Sequence, residues 1–578
     1  MNQYSADIQK LPRHFLPANF EVTNWENLLP FFENLEQRVL DTPDALQNWL
    51  ADLSELEAAL SEDVCWRQIR MTCDTENKAL EEAFNYFVTH IQPPMQPFMD
   101  ALNRKLAECP FAEQLAQNDP AYGIYLRSVK KNIELFREEN IPLQSELSIL
   151  QQQYGQVTGR MTIHHNGQEY TLQQAARFLQ SKDRSEREAV YRKIQDRRLQ
   201  DREALNELYS KLVALRQQVA ENAGFANYRD YKFKELGRFD YTPADCTLFQ
   251  QGVKDYVVPL VNTIYEHKRN LLGVDTLRPW DLDAEPAGVE PLRPFENSAD
   301  LLEKSIACLN KLNPFFADCF RTMQRMGHFD LESRKGKAPG GYNCPLAESG
   351  APYIFMNAAG QMDDVTTMVH EGGHAVHSFL AHHLQLSAFK EYPMEIAEVA
   401  SMAMELFTMD HWQVFFSNPD ELKRAKIHQL ERAITIFPWI ATIDKFQHWV
   451  YQNPGHTTEE RTAAWMQLLE AYKVTALDTT GLEEYRQSGW QRQLHLFEVP
   501  FYYIEYGIAQ LGAIGLWMQY KQHPEQAIER YIKALSLGGT RSLPELYAAA
   551  GIRFDFSPEH IKNLTRFVAE EMEAILQS

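Results

Sequence analysis

The 578-residue chain predicts a mostly α-helical fold of two or more lobes, with one small β-sheet. Three observations carry that expectation. Apolar residues recur at the helical period from Trp25 to about Cys109, and again almost without a break after residue 391. Strand-like segments are few and fall within 160–170 and 270–362. Finally, a chain of this length exceeds what one hydrophobic core fills.

Residues 1–24 read as an extended entry segment. Asn24 then precedes the first helix, and Thr42-Pro43 starts the next with proline at its first position, where the missing N–H costs nothing. A further helical run covers 121–156. At 160–170, Arg160-Met-Thr-Ile-His-His and Gln-Glu-Tyr flank Asn166-Gly167, a two-residue hairpin turn. Thr171 and Gln174 make a capping box for the helix that follows. The Arg-, Glu- and Gln-rich helices at 184–222 present a solvated face. A division near residue 200 is expected, giving an N-terminal helical lobe over 1–200 and a catalytic domain over 201–578.

Between 270 and 362 proline and glycine rise and the helical period fails. Pro279-Trp-Asp-Leu and His328-Phe-Asp-Leu-Glu read as short strands. Ser333 to Tyr342 is a basic loop, either a substrate flap or a solvated turn, and loop statistics favour the turn. Ala351-Pro-Tyr-Ile-Phe-Met356 is a strand, and Pro352 points to a sheet edge. Asp363 is the expected cap of the next helix. Helices are then expected at 391–409, 423–452 (where Pro438 should kink or split it), 457–474, 500–520, 524–535, 543–550 and 558–576.

Charge and composition narrow the function classes. The net charge is −22 with no cluster of Lys and Arg, which argues against nucleic acid as a partner. Seven scattered cysteines without C-x-x-C spacing suit free thiols in a reducing compartment. The N-terminus lacks the basic and apolar regions of a signal peptide. Phe501 to Tyr520 is apolar, but Glu505, Gln510 and Gln519 interrupt it, so a buried helix is expected and no membrane span. A cytoplasmic protein is the expectation.

The stretch Met368-Val-His-Glu-Gly-Gly-His-Ala-Val-His-Ser-Phe-Leu380 contains His370, Glu371 and His374 as H-E-x-x-H. On a helix, residues four apart share a face, so both imidazoles reach one metal ion. Glu371 is turned about 100° away, beside the metal, where it suits a general base. Met368, Val369, Val376, Phe379 and Leu380 would bury the helix. Gly372 and Gly373 each cost a helix interior about 1 kcal/mol relative to Ala, so close approach of another group is expected there.

A catalytic zinc needs a third protein ligand. Leu380 and His377 occupy the positions at which one class of zinc peptidase would place a further His and its preceding Gly, so that solution is excluded. A glutamate from a following helix is the other. Glu391, Glu395 and Glu398 are all within reach, and spacing does not choose among them. Glu391 and Glu395 also fit a solvated face. The small residues after Glu398 would let its helix pack against Gly372 and Gly373. Glu405, two turns on, could accept the remaining N–H of a ligand histidine. His377 shares the face of His374 and reads as a packed or supporting residue.

H-E-G-G-H-A-V-H followed by E-I-A-E-V-A-S-M-A-M-E resembles the thimet oligopeptidase–oligoendopeptidase F family of zinc peptidases. Length, the helical N-terminal segment and Phe501-Tyr-Tyr-Ile-Glu-Tyr506 resemble its oligoendopeptidase F branch. The resemblance implies a helical ellipsoid with two lobes and a deep channel, and one Zn²⁺ per chain held by His370, His374 and Glu398. It also implies that His495, Tyr503 and Tyr506 hold substrate and stabilise the transition state. Val499 stands where the thimet branch carries another Tyr. Pro500 suits the first turn of a helix, which would leave His495 in the loop before it and Tyr503 and Tyr506 on one face.

The reading is a zinc endopeptidase of short peptides, with Glu371 as base. Tyr353, Ile354, Asn357 and Tyr502 are candidate substrate contacts, the first three through pairing of the edge strand 352–357 with the substrate backbone. Two rivals stand beside it: an exopeptidase of the same zinc class, and a catalytically inactive peptide-binding protein, which would have no need of the base.

Overall fold

The computed structural model describes residues 4–8, 10, 12–334, 336–338 and 340–577. Helices dominate, and the described strands form two small sheets. Two compact units each draw on three separated stretches. The first takes Met1–Ile141, Arg293–Lys426 and Ile508–Phe554; the second takes Pro142–Leu292, Ile427–Gly507 and Asp555–Ser578. Gln200 ends the helix Arg184–Gln200 and lies inside the second unit. Composition cannot reveal such an arrangement, because it depends on contacts between segments hundreds of residues apart.

In the first unit the N-terminal helices close around Leu28, Phe32, Leu46, Trp49 and Leu53. Their start signals act as expected: Asn24 accepts from the Asn27 N–H, and Thr42 accepts from Ala45 ahead of Pro43–Cys73. This core also takes in Leu386 and Phe389. Those residues belong to the link between the helix Met362–Ala381, hereafter the motif helix, and the helix Met394–Thr408, the carboxylate helix. The N-terminal segment thus braces the connection on which the site depends.

The hairpin forms as predicted, with β1 (Thr162–His165) antiparallel to β2 (Gln168–Thr171) and positive φ at Asn166 and Gly167. β3 (Phe329–Glu332), β4 (Tyr342–Cys344) and β5 (Tyr353–Ala358) form the second sheet in the order β3-β5-β4. β5 is parallel to β3 and antiparallel to β4, so it is the central strand and not an edge. Pro352 misled because it precedes the strand's first residue, where no ladder N–H is lost. Ile354 and Phe355 are fully buried.

Other expectations shift locally. Pro279–Asp281 is a turn of 3₁₀ helix instead of a strand, with Asp281 buried and paired to Arg184 and Arg187. Pro438 does not split its helix, which runs from Pro419 to Gln452. Within the basic loop, Lys335 and Pro339 lie outside the described residues. Lys337 is buried, not solvated: its ammonium donates to Asp330 and to the carbonyls of Glu332 and Met356. Among the described residues no helix is long and apolar enough to cross a membrane.

Candidate metal centre

The motif helix follows β5 through a turn in which Gly360 has φ +87°. Its cap is a box between Gln361 and Asp364, and Asp364 accepts from the N–H groups of Ala359 and Gln361 at 2.8 Å each. Asp363, the predicted cap, lies in the first turn instead. Met368, Val369, Val376 and Leu380 are fully buried, which fixes the helix's rotation and turns His370 and His374 to one side.

The two glycines admit different neighbours. A Cβ on Gly373 would lie 2.5 Å from the Ala400 carbonyl oxygen and 2.5 Å from Ser401 Cα, so only glycine lets the carboxylate helix come this close. A Cβ on Gly372 would meet Phe320 Cζ at 2.8 Å, a side chain from the helix Pro314–Met326. The expected packing of the carboxylate helix thus involves Gly373, while Gly372 accommodates an aromatic ring. Tyr531 donates to the same Ala400 carbonyl at 2.7 Å and backs the contact.

That approach brings Glu398 to the histidines. Its Oε2 lies 3.4 Å from His370 Nε2 and 3.7 Å from His374 Nε2. Donor atoms from His370, His374 and Glu398 all lie within 4.8 Å of one another. Two imidazole nitrogens and one carboxylate oxygen are a donor set that suits Zn²⁺ and leaves a coordination position open. Ser401 Oγ lies 3.2 Å from Glu398 Oε2 and steadies it. Sequence reasoning did not single out Ser401, although its position three residues after Glu398 puts both on one helix face.

His370 Nδ1 lies 2.7 Å from Glu405 Oε1. A carboxylate only accepts, so Nδ1 carries the hydrogen and Nε2 faces the other donors. Burial opposes a charged imidazole at His370, but Glu398 and Glu405 outweigh it and hold its pKa well above the usual range. At His374 burial prevails and lowers the pKa to about 4. Glu371 is buried, and that burial raises its carboxyl to about 7; His370 opposes the rise, while Glu398 and Glu405 add to it. Asn343 of β4 donates to the Glu371 carbonyl at 3.3 Å, a contact the sequence did not suggest.

The remaining candidates divide. Glu391 precedes the carboxylate helix and stays exposed. Glu395 is buried rather than solvated, and neither joins the donor group. His377 is fully buried and stacks on Tyr392 with ring centroids 3.5 Å apart, which makes it a packing residue held neutral by burial. Tyr353 and Ile354 are buried within the sheet. Asn357 donates to the carbonyls of Ala338 and Gly340, so its side chain anchors the preceding loop.

In the second unit His495, Tyr502, Tyr503 and Tyr506 gather into one aromatic cluster. His495 Nε2 lies 3.3 Å from the Tyr506 hydroxyl, and its ring centroid is 5.0 Å from that of Tyr503 and 5.8 Å from that of Tyr502. His495 belongs to a short helix, Leu494–Glu498, not a loop. The following helix starts at Tyr503, so Pro500 lies in the turn before it. That turn is sharp because Phe501 takes φ +66°. Burial raises the Tyr503 phenol to about 12, against the opposing effects of Arg492 and Trp439.

The family model "Peptidase family M3" matches residues 177–565, and "Peptidase M3 N-terminal domain" matches residues 15–136. The chain is 23% identical over 330 residues to an oligoendopeptidase F homolog of Borreliella burgdorferi, covering 55% of this chain and 54% of that protein. It is 26% identical over 339 residues to oligopeptidase PepF of Bacillus subtilis, covering 55% and 48%. The chain thus spans about half the length of these curated relatives. Among solved structures, PZ peptidase A with inhibitor 2 superposes with a TM-score of 0.91 at 25% identity, covering 96% of this chain and 98% of that one. Oligoendopeptidase-F from Enterococcus faecium, at 16% identity and a TM-score of 0.64, shares the fold.

Proposed function

Because the chain belongs to peptidase family M3, we propose that it is a zinc-dependent endopeptidase that hydrolyses internal bonds of short, unfolded peptides. The observation that carries this reading is the convergence of His370, His374 and Glu398 beside a buried carboxylate that belongs to none of the three donors. These residues would hold the ion. When bound, zinc supplies Lewis acidity, polarising the scissile carbonyl and bringing the pKa of water to about 7.

Glu371 takes a proton from the attacking water and delivers it to the leaving amine. A carboxyl raised to about 7 by burial is suited to both transfers. Glu405 holds His370 in the tautomer that leaves Nε2 for the ion. His495, Tyr503 and Tyr506 are proposed as donors to the oxygen that becomes negative, with Tyr502 as a substrate contact. The resemblance assigns the first three these roles, and the ring contacts are compatible with them. The substrate backbone is proposed to pair along β4. Both sides of β5 are already taken, while β4 has β5 as its single strand partner among the described residues and touches the motif helix through Asn343.

Peptides blocked at both ends test the reading. Mass spectrometry should find internal cleavage that stops when a chelator strips the metal and resumes with added zinc. Release of terminal residues from free peptides alone, with blocked ones left intact, would favour the exopeptidase. Undiminished cleavage by protein verified as metal-free would remove the zinc reading.

A further inference from the structure

Among the described residues, a second group of potential metal donors also converges within 4.8 Å. Cys246 lies on the helix Pro243–Gly252, and Asp444 and His448 lie one turn apart on the helix Pro419–Gln452. One donor atom from each falls within 4.8 Å of the others. All three belong to the second unit, whereas His370, His374 and Glu398 belong to the first. We propose that Cys246, Asp444 and His448 form a buried structural site for a second divalent transition-metal ion of the zinc type.

Burial is the first support. Asp444 is 0% exposed, Cys246 2% and His448 8%. Groups this buried are normally satisfied by hydrogen bonds. Here Asp444 Oδ1 and His448 Nε2 are buried with no hydrogen-bond partner. The other Asp444 oxygen, Oδ2, accepts from Gln250 Nε2 at 2.7 Å and lies 3.5 Å from His448 Nε2. A carboxylate oriented through one oxygen, with its other oxygen and a nearby imidazole nitrogen both lacking a hydrogen bond, is what a cation would complete. The donor types narrow the ion. Sulfur with imidazole and one carboxylate suits zinc and its borderline neighbours, and disfavours magnesium and calcium, which take oxygen.

The surroundings suggest what the ion would do. The His448 ring makes edge-on contacts with Phe233, at 5.8 Å, and with Phe501, at 5.3 Å. Phe501 is the residue in left-handed conformation that turns the chain into Tyr503. Its N–H donates to Gln447 Oε1 at 2.5 Å, and its carbonyl accepts from Arg238, which also pairs with Glu505 at 2.8 Å. A metal joining Cys246 to Asp444 and His448 would tie the helix Pro243–Gly252 to the helix that supports this turn. The ion would thus stiffen the base of the tyrosine cluster without touching substrate.

Cobalt substitution of the full chain tests the site. The first site offers only nitrogen and oxygen donors, so a thiolate-to-cobalt absorption band reports sulfur ligation elsewhere. The expected result is two bound ions per chain, with the band present. The double variant His370→Ala/His374→Ala should lose one ion and keep the band. Cys246→Ser should lose the other ion together with the band. His448→Gln, which keeps a polar side chain of similar size, should weaken the second ion and alter the band, and it serves if Cys246→Ser does not fold. A folded wild-type chain that binds one ion without the band overturns the proposal. So does a band that survives unchanged in folded Cys246→Ser or His448→Gln.

Discussion

Glu405 Oε1 accepts from His370 Nδ1 across 2.7 Å, so the orientation of a metal-facing imidazole is set by a residue two turns beyond Glu398 on the neighbouring helix. Replacing Glu405 with Ala should leave the fold intact and reduce zinc affinity about 10–100-fold, the usual cost of losing such a partner. Competition with a chromophoric chelator measures it. Unchanged affinity would show that burial alone orients His370.

Glu371→Gln should abolish turnover with zinc content unchanged, because the amide keeps the side chain's size and loses its basicity. Elemental analysis beside a peptide assay separates the two effects. Loss of the metal in this variant would make Glu371 a ligand and not a base.

Removal of Glu398 as Ala should lower zinc affinity severely, whereas Glu395→Ala should leave metal content near normal. Both are buried on the same helix, so comparable destabilisation is expected of each, and metal content is the discriminating readout.

Gly373→Ala sets two effects against each other. Alanine would gain about 1 kcal/mol in helix propensity. Its Cβ would also lie 2.5 Å from backbone atoms of Ala400 and Ser401, and overpacking of this kind costs about 1–3 kcal/mol or more. The steric term wins, because backbone cannot swing aside. A lower melting temperature and weaker zinc binding are expected. Gly372→Ala meets the end of the Phe320 ring and should be milder in both measurements.

Tyr506→Phe should lower kcat at least tenfold with KM, zinc content and melting temperature little changed, since one lost donor to an oxyanion typically costs about 3–4 kcal/mol. Tyr503→Phe is expected to act in the same direction. Full activity in both single variants and in the double variant would return these residues to packing.

Glu57 gives a pH-dependent prediction away from the site. Burial, with Glu391 nearby, raises its carboxyl to about 8 in the folded chain, far above the ordinary 4.5. The folded state therefore keeps a proton that the unfolded state has released, and Glu57's contribution to stability falls as pH rises from 4.5 toward 8. Glu57→Gln should match the wild type in acid and exceed its melting temperature above pH 8. Parallel melting curves across this window check it; a constant difference would sink the assignment.

Much of this protein is legible along the chain because the signals are local. The i, i+4 spacing of His370 and His374 needs only a helix to put both rings on one face. Asn166-Gly167 needs only its own backbone preferences to form the hairpin turn, and Thr42-Pro43 only its neighbours to start a helix. Tertiary structure decided what depends on residues far apart. Nothing near Pro352 discloses that β3 and β4 flank β5 on both sides, so the edge strand moved. Nothing around Glu395 distinguishes a solvated carboxylate from a buried one. Which glutamate reaches the histidines is settled by the carboxylate helix lying against Gly373, and the Cys246–Asp444–His448 group exists only once two helices nearly two hundred residues apart are packed together. Short-range backbone and spacing rules act through covalent neighbours and are written in order along the chain. Burial, strand order and donor convergence are properties of packing, and they arise only when distant segments exclude water together.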